Sequence, residues 1–194
     1  MIKEQKVIMI AGLPLVGKTT IAKAISEILG IRHLDIDENI RFPVFGLPHP
    51  ESYSDRILKS EGQREMGQSY DLLRYAIEAH IVLNRSVIAT ATFSHHIARS
   101  NMVALVEKYP GVKLRVIWCY PTCSEEEEVE EIKQRLTRRT FGVDYFGGCT
   151  TIEHYLNDRH RYPPMNLSHI AVDTFPPHSV EECVMQVLNY CREE

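Results

Sequence analysis

Val7-Ile8-Met9-Ile10-Ala11-Gly12-Leu13-Pro14-Leu15-Val16-Gly17-Lys18-Thr19-Thr20 passes from an unbroken apolar run, Val7 to Ala11, into the pattern Gly12-x-x-x-x-Gly17-Lys18-Thr19. Five apolar residues bounded by glycine fit a strand buried on both faces. Beyond the loop, Ile21, Ala24, Ile25, Ile28 and Leu29 recur at helical spacing, and Gly30 supplies a stop. Strand, glycine loop and helix in this order give the context that marks a phosphate-binding loop. The pattern arises by chance in under about 1% of chains of this size.

The residue types follow from the charge of a triphosphate. Many backbone N–H groups must turn inward to hold it, and Gly12 and Gly17 allow the close approach that a Cβ would block. The helix starting near Lys18 adds its unpaired amides and the positive end of its dipole. Lys18 can reach the β- and γ-phosphates, and the Thr19 hydroxyl can ligate Mg²⁺. Gly12, Leu13, Pro14, Leu15, Val16, Gly17, Lys18, Thr19 and Thr20 are therefore the candidate nucleotide-binding residues.

At 194 residues the chain fits a single domain, 1–194, long enough for a substantial core. Hydrophobic residues make up 44% and charged residues 25%, ordinary values for a globular protein. No apolar run approaches membrane-spanning length, and Met1 to Lys6 carries no signal-peptide h-region, so the expectation is a cytoplasmic protein without membrane contact. Cys119, Cys123, Cys149, Cys183 and Cys191 are scattered, which suits free thiols better than zinc or disulfides. The net charge of −4, from 22 basic and 26 acidic residues, argues against a nucleic-acid partner.

Along the chain, a second strand is expected over Arg32 to Ile36, with Leu34 and Ile36 inward and Asp35 and Asp37 at its carboxyl end, where open α/β sheets place ligands. Pro43, Gly46, Pro48 and Pro50 mark Arg41 to Ser60 as an irregular segment, and Arg41, His49, Tyr53 and Arg56 are its candidate substrate-facing groups. A long helix from about Glu61 to Leu83 carries the core stripe Met66, Tyr70, Leu73, Ile77 and Ile81. The third strand is Ser86 to Ala91, with Thr90 and Thr92 at its carboxyl end, followed by a helix that bears Arg99 and runs to about Tyr109. Lys113 to Cys119 reads as the fourth strand.

The acidic run Ser124 to Glu131 reads as a helix start. Ser124 and Glu127 form a capping box, and Val129, Ile132 and Leu136 make the buried stripe. That helix ends in Arg135, Arg138 and Arg139 beside the glycine-bearing segment Phe141 to Thr151, a composition suited to a phosphoryl-transfer lid. A short helix, Ile152 to Arg159, precedes a fifth strand, His169 to Asp173. A final helix then starts at the capping box Ser179 and Glu182 and buries Val180, Cys183, Val184, Val187 and Leu188. Five short strands alternating with helices give an α/β fold, a three-layer doubly wound parallel sheet. Residues 38–66 are the candidate acceptor-binding cap and 135–161 the candidate lid.

Asn-Lys-x-Asp for guanine and a Leu-Ser-Gly-Gly-type transporter signature are both absent from the sequence, and a motor or AAA+ machine needs more chain. A small kinase fits the length and the order of loop, acid and arginines.

Gly12 to Thr20, then Asp35-Ile36-Asp37-Glu38-Asn39-Ile40-Arg41, Val87 to Phe93 with Arg99, Arg135-Leu136-Thr137-Arg138-Arg139 and Tyr162-Pro163-Pro164 together resemble the zeta-toxin-like, polynucleotide-kinase-like P-loop kinases. The likeness spans most of the chain, and only the phosphate loop is a specific motif. It implies a sheet of order 2-3-1-4-5 and ATP- and Mg²⁺-dependent transfer of the γ-phosphoryl to a hydroxyl of a small-molecule acceptor. Asp37 matches the family's acceptor-activating aspartate, a role for which a carboxylate makes physical sense, and is a candidate Mg²⁺ contact through water. Asp35 is the second candidate for either role. Arg135 and Arg139 match lid arginines that stabilise the transferred phosphoryl, Arg135 also being a nucleotide contact. Asp35, Asp37, Arg41, Thr92 and Arg99 are the candidate acceptor-site residues.

There is one departure. Where the family carries aspartate at the end of strand three, this chain has Thr90, which cannot be an anionic base or a strong Mg²⁺ ligand. The departure motivates an alternative reading, a nucleotide-dependent binding or regulatory ATPase without a dedicated acceptor. A polynucleotide 5′-hydroxyl kinase is a further alternative, which the net charge disfavours.

Overall fold

Each side chain from Val7 to Ala11 is fully buried, and successive ones enter opposite cores. Ile8 and Ile10 pack with Ile21, Ile25 and Ile132, whereas Val7, Met9 and Ala11 pack with Leu73, Ile77 and Met102. A strand covered on both faces has no polar side to alternate with, which is why the run is continuously apolar.

The computed structural model describes residues 4–46, 60–138 and 151–192. The apolar run lies in β1 (Gln5–Gly12), followed by α1 (Lys18–Leu29), β2 (Arg32–Asp35), a π-helical turn (Ile36–Arg41) and α2 (Phe42–Phe45). Then come α3 (Ser60–Val82), β3 (Val87–Thr90), α4 (His96–Glu107), β4 (Val112–Cys119), α5 (Glu125–Arg138), α6 (Ile152–Arg161), β5 (Ile170–Val172) and α7 (Val180–Arg192). The five strands are all parallel, in the order β2-β3-β1-β4-β5. Parallel pairing requires crossover helices, and these cover both faces. The side chains of α1, α5, α6 and α7 fill one core and those of α3 and α4 the other. The expected fold class and strand order are those observed.

Local signals placed most elements. Gly30 ends α1 in the left-handed conformation at φ 64°, and its N–H bonds Ser26 O. Both capping boxes form: Ser124 N–H donates to Glu127 Oε2 at 3.0 Å, and Ser179 N–H donates to Glu182 Oε2 at 2.8 Å. Cys119, Cys123, Cys183 and Cys191 are free, and burial pushes the Cys119 thiol up to about 12, so it behaves as a small apolar core residue.

Two expectations need correction, and one residue of the acidic run takes a place that the helix spacing does not foretell. Arg41 does not stand in an irregular loop; it closes the π-helical turn and is buried. Val180, expected in the core, is 44% exposed at the first position of α7. Glu128, within the acidic run, is buried beneath α6, where it accepts from the Tyr155 hydroxyl and from Arg159 Nε at 3.0 Å. It shares a helical face with Ile132, and the Arg159 guanidinium offsets the cost of taking its charge out of water. Residues 47–59 of the candidate cap and 139–150 of the candidate lid lie outside the described residues, and Arg139 is among them.

The turn from β1 into the loop depends on Gly12. At φ 149° it has no Cβ to place, and a Cβ built there would lie 2.3 Å from the Cys119 carbonyl oxygen of β4. Gly12→Ala must therefore push β1 and β4 apart at the centre of the sheet. It is expected to cost about 3 kcal/mol or more, read as a lowered urea midpoint.

Candidate active site

The amino-terminal end of α1 is open for an anion. Its N-cap is Gly17, at φ 90°, with no side chain closing the first turn and no acid within it. Leu15 also takes a positive φ, 67°, a conformation that a non-glycine residue holds only when its surroundings impose it. Lys18 Nζ donates to Leu13 O at 2.5 Å, folding the ammonium across the loop.

Beside the loop stands Asp35, 9% exposed at the carboxyl end of β2. Its Oδ1 accepts from the backbone N–H of Asp37 at 3.0 Å and of Glu38 at 3.1 Å, capping the π-helical turn. Its Oδ2 accepts from the Thr19 hydroxyl at 3.1 Å and from the Thr90 hydroxyl at 2.7 Å. Charge-assisted bonds of this kind are worth about 1.5–3 kcal/mol each, enough to hold a buried carboxylate. Thr19 and Asp35 are both hard oxygen donors, the kind Mg²⁺ takes. Among the described residues no group of three or more His, Cys, Asp or Glu is placed to hold a metal ion.

Asp37 lies one step further along the turn. Its side chain is 23% exposed, and its Oδ1 accepts from Arg41 Nη1 at 3.2 Å. Burial raises its pKa from the ordinary 3.8 to about 6, against the pull of Arg41, with Asp35 adding to the rise. Asp35, Asp37, Lys18, Thr19, Thr92 and Arg135 all line one cleft of about 1950 Å³.

Arg41, Arg99 and Arg135, the described arginines expected at the site, all line this cleft, and each is also held by protein groups. Arg41, read as substrate-facing, is 4% exposed and bridges Asp37 to Glu65, its Nε 3.0 Å from Glu65 Oε1. Arg99, also read as facing substrate, is 1% exposed and clamps three backbone carbonyls: Nε to Phe93 O at 2.7 Å, Nη1 to Pro164 O at 2.6 Å and Nη2 to Pro163 O at 3.2 Å. Arg135 does reach the phosphate loop, where Nη1 donates to Leu15 O at 3.0 Å and Nη2 to Thr174 O at 2.6 Å. Its guanidinium also lies over the Phe175 ring and pairs with Glu131 at 2.7 Å.

Sequence reasoning missed Tyr70 and Tyr162. The first, read as core, lines the cleft and bonds the Thr92 hydroxyl at 3.2 Å and the Phe93 N–H at 2.9 Å; the second donates to Thr92 O. Helical spacing could not reveal Tyr70's role, because its ring is in the core stripe and only its hydroxyl reaches the site. Asp158 and Arg161 of α6 also line the cleft. No described helix is long and apolar enough to cross a membrane.

A family model described as an AAA domain matches residues 7–144, more than half of the chain. Among solved structures, a sugar kinase from Janibacter superposes with a TM-score of 0.64 at 18% identity, covering 97% of this chain and 95% of that one. A gluconokinase from Sinorhizobium meliloti gives 0.61 at 17%, covering 97% and 92%. A shikimate kinase from Aquifex aeolicus gives 0.58 at 17%, covering 96% of each. At these identities the likeness establishes the fold. Among curated proteins, none matches the chain.

If Arg99 is a clamp, Arg99→Lys should cost about 3 kcal/mol of stability through lost bonds to carbonyls, seen in urea unfolding, while leaving nucleotide affinity unchanged. Retained stability with weakened ligand binding would return Arg99 to the substrate.

Proposed function

Because the chain belongs to the AAA domain family of P-loop NTPases, whose model spans residues 7–144, we propose that it is a Mg²⁺-dependent kinase moving the γ-phosphoryl of ATP to a hydroxyl of a small-molecule acceptor. The observation that carries the reading is Asp37: a carboxylate with a pKa raised to about 6, in the same cleft as the phosphate loop. A base is most effective when its pKa lies near the working pH.

In this reading the loop amides and Lys18 hold the phosphates, and Arg135 rests over the loop's outer edge. Thr19 and Asp35 are the residues that would hold Mg²⁺, which when bound offsets charge on the β- and γ-phosphates. Asp37, kept in place by Arg41, orients the acceptor hydroxyl and takes its proton as the new O–P bond forms and the bond to ADP breaks. Thr92 and Tyr70 face the acceptor side. We read 1–194 as one kinase domain, with 38–66 serving the acceptor and 135–161, including Arg139, serving as lid, and place it nearest the zeta-toxin-like kinases. The family match is to one nucleotide-binding domain and the whole-chain likenesses are to small kinases, which supports this over a large AAA+ machine. The regulatory-ATPase alternative rested on a missing carboxylate, and Asp35 beside Thr19 weighs against it.

Lys18→Ala should weaken nucleotide binding at least about tenfold by calorimetry, through loss of the phosphate contact. Asp37→Asn should leave that binding intact and lower kcat by about 10²- to 10⁴-fold. A base must be deprotonated to act, so wild-type kcat should rise with pH to a plateau above about 6, and Asp37→Asn should lack that inflection. The stability sign is opposite: a raised folded pKa favours the protonated, folded form, so this contribution is full below about pH 4 and lost as pH rises through 6. Unchanged turnover in Asp37→Asn would remove Asp37 from the mechanism.

A further inference from the structure

The threonine at the end of β3, where related kinases are expected to carry aspartate, belongs to a hydrogen-bonded chain that runs into Asp35 and Thr19 and whose other two members, His33 and Thr90, the proposed mechanism does not use. β2 and β3 pair in parallel with His33 opposite Ile88 and Asp35 opposite Thr90. His33 and Asp35, two residues apart, therefore share a face of the sheet with Thr90, and that face looks toward α1 and Thr19. The His33 Nε2 lies 2.8 Å from Thr90 Oγ1, which lies 2.7 Å from Asp35 Oδ2, which lies 3.1 Å from Thr19 Oγ1.

The direction of every bond is fixed by counting protons. A carboxylate only accepts, so the Thr90 hydroxyl spends its single hydrogen on Asp35, and Thr19 does the same. Thr90 Oγ1 can then only accept from His33, which places a proton on Nε2. The order is His33 Nε2–H to Thr90 Oγ1–H to Asp35 Oδ2, met from the other side by Thr19 Oγ1–H. Having donated its hydrogen to Asp35, the Thr19 oxygen, which lines the cleft, keeps lone pairs that can serve a metal ion.

We propose that His33 and Thr90 are positioning residues that lock the Asp35 carboxylate against Thr19, so that the carboxylate serving Mg²⁺ is carried by β2 and Thr90 is its partner rather than a defective substitute for aspartate. This rests on the reading of the loop as a Mg²⁺-nucleotide site. It has a counterintuitive consequence. Thr90→Asp, which restores the family residue, places a second carboxylate at hydrogen-bond distance from Asp35, and two like charges so close oppose each other's ionisation.

The test measures Mn²⁺ binding to the protein–ADP complex by electron paramagnetic resonance, with ADP binding in the absence of metal measured beside it. Thr90→Val and His33→Ala should weaken Mn²⁺ binding about 10- to 100-fold, the usual cost of removing a partner of a metal ligand, with metal-free ADP binding unchanged. Thr90→Ser should restore it. Thr90→Asp should weaken Mn²⁺ binding, and Asp35→Asn, which removes the carboxylate itself, should weaken it at least as far. A second readout needs no metal: the imidazole ¹⁵N spectrum should show His33 protonated at Nε2 in wild type and shifted toward the other tautomer in Thr90→Val. Mn²⁺ affinities of Thr90→Val and His33→Ala within twofold of wild type, or a gain in Thr90→Asp, would overturn the proposal while leaving the nucleotide reading standing. A wild type that binds neither ADP nor Mn²⁺ with ADP would overturn both.

Discussion

A carboxylate withdrawn from water must find partners, and Asp35 finds four: two backbone amides of the turn that follows it, and the hydroxyls of Thr19 and Thr90. Those four bonds join α1, β2, β3 and the π-helical turn at one point. They set the start of the turn, which places Asp37 over the cleft, and one turn later Arg41 comes back to hold the Asp37 carboxylate. In the proposed reading, the phosphate side and the acceptor side of the cleft are thus referred to the same residue. Loss of Asp35 would cost more than the proposed metal contact, because it would free the turn that carries the proposed base.

The arginines show a second constraint. A guanidinium offers five N–H donors in a rigid fork, which suits phosphates and equally suits the carbonyl-rich ends of strands and loops. Arg99 satisfies Phe93, Pro163 and Pro164, and Arg135 satisfies Leu15 and Thr174. Arg159 meets the buried Glu128. In each case the local sequence leaves carbonyls or a carboxylate that the backbone cannot pair, and a long basic side chain fills the need. Only Arg135 does so at the edge of the phosphate loop, where releasing Leu15 O would leave its donors available to a nucleotide.

The fold was legible because it is written in local signals of short range: a strand apolar on both faces, glycines where the backbone turns left-handed, and two capping boxes whose partners are three residues apart. The phosphate loop was legible for the same reason. Contacts across the sheet were not. Nothing near Thr90 in sequence tells that Asp35 stands beside it, since their pairing is set by the register of β2 against β3. Tyr70 was read for its ring and not its hydroxyl, and Arg41 for its charge without the Glu65 that shares it. Arg139 and the middle of the cap lie outside the described residues.

The central claim is that the cleft moves a phosphoryl group to an organic hydroxyl. The most direct measurement is ³¹P NMR of Mg²⁺-ATP with the protein and pools of hydroxylated small molecules, following where the γ-phosphoryl goes. The account predicts a new phosphomonoester signal in at least one pool, equal in amount to the ADP formed and absent with Asp37→Asn. ATP left intact in every pool, or converted only to ADP and inorganic phosphate, would contradict it.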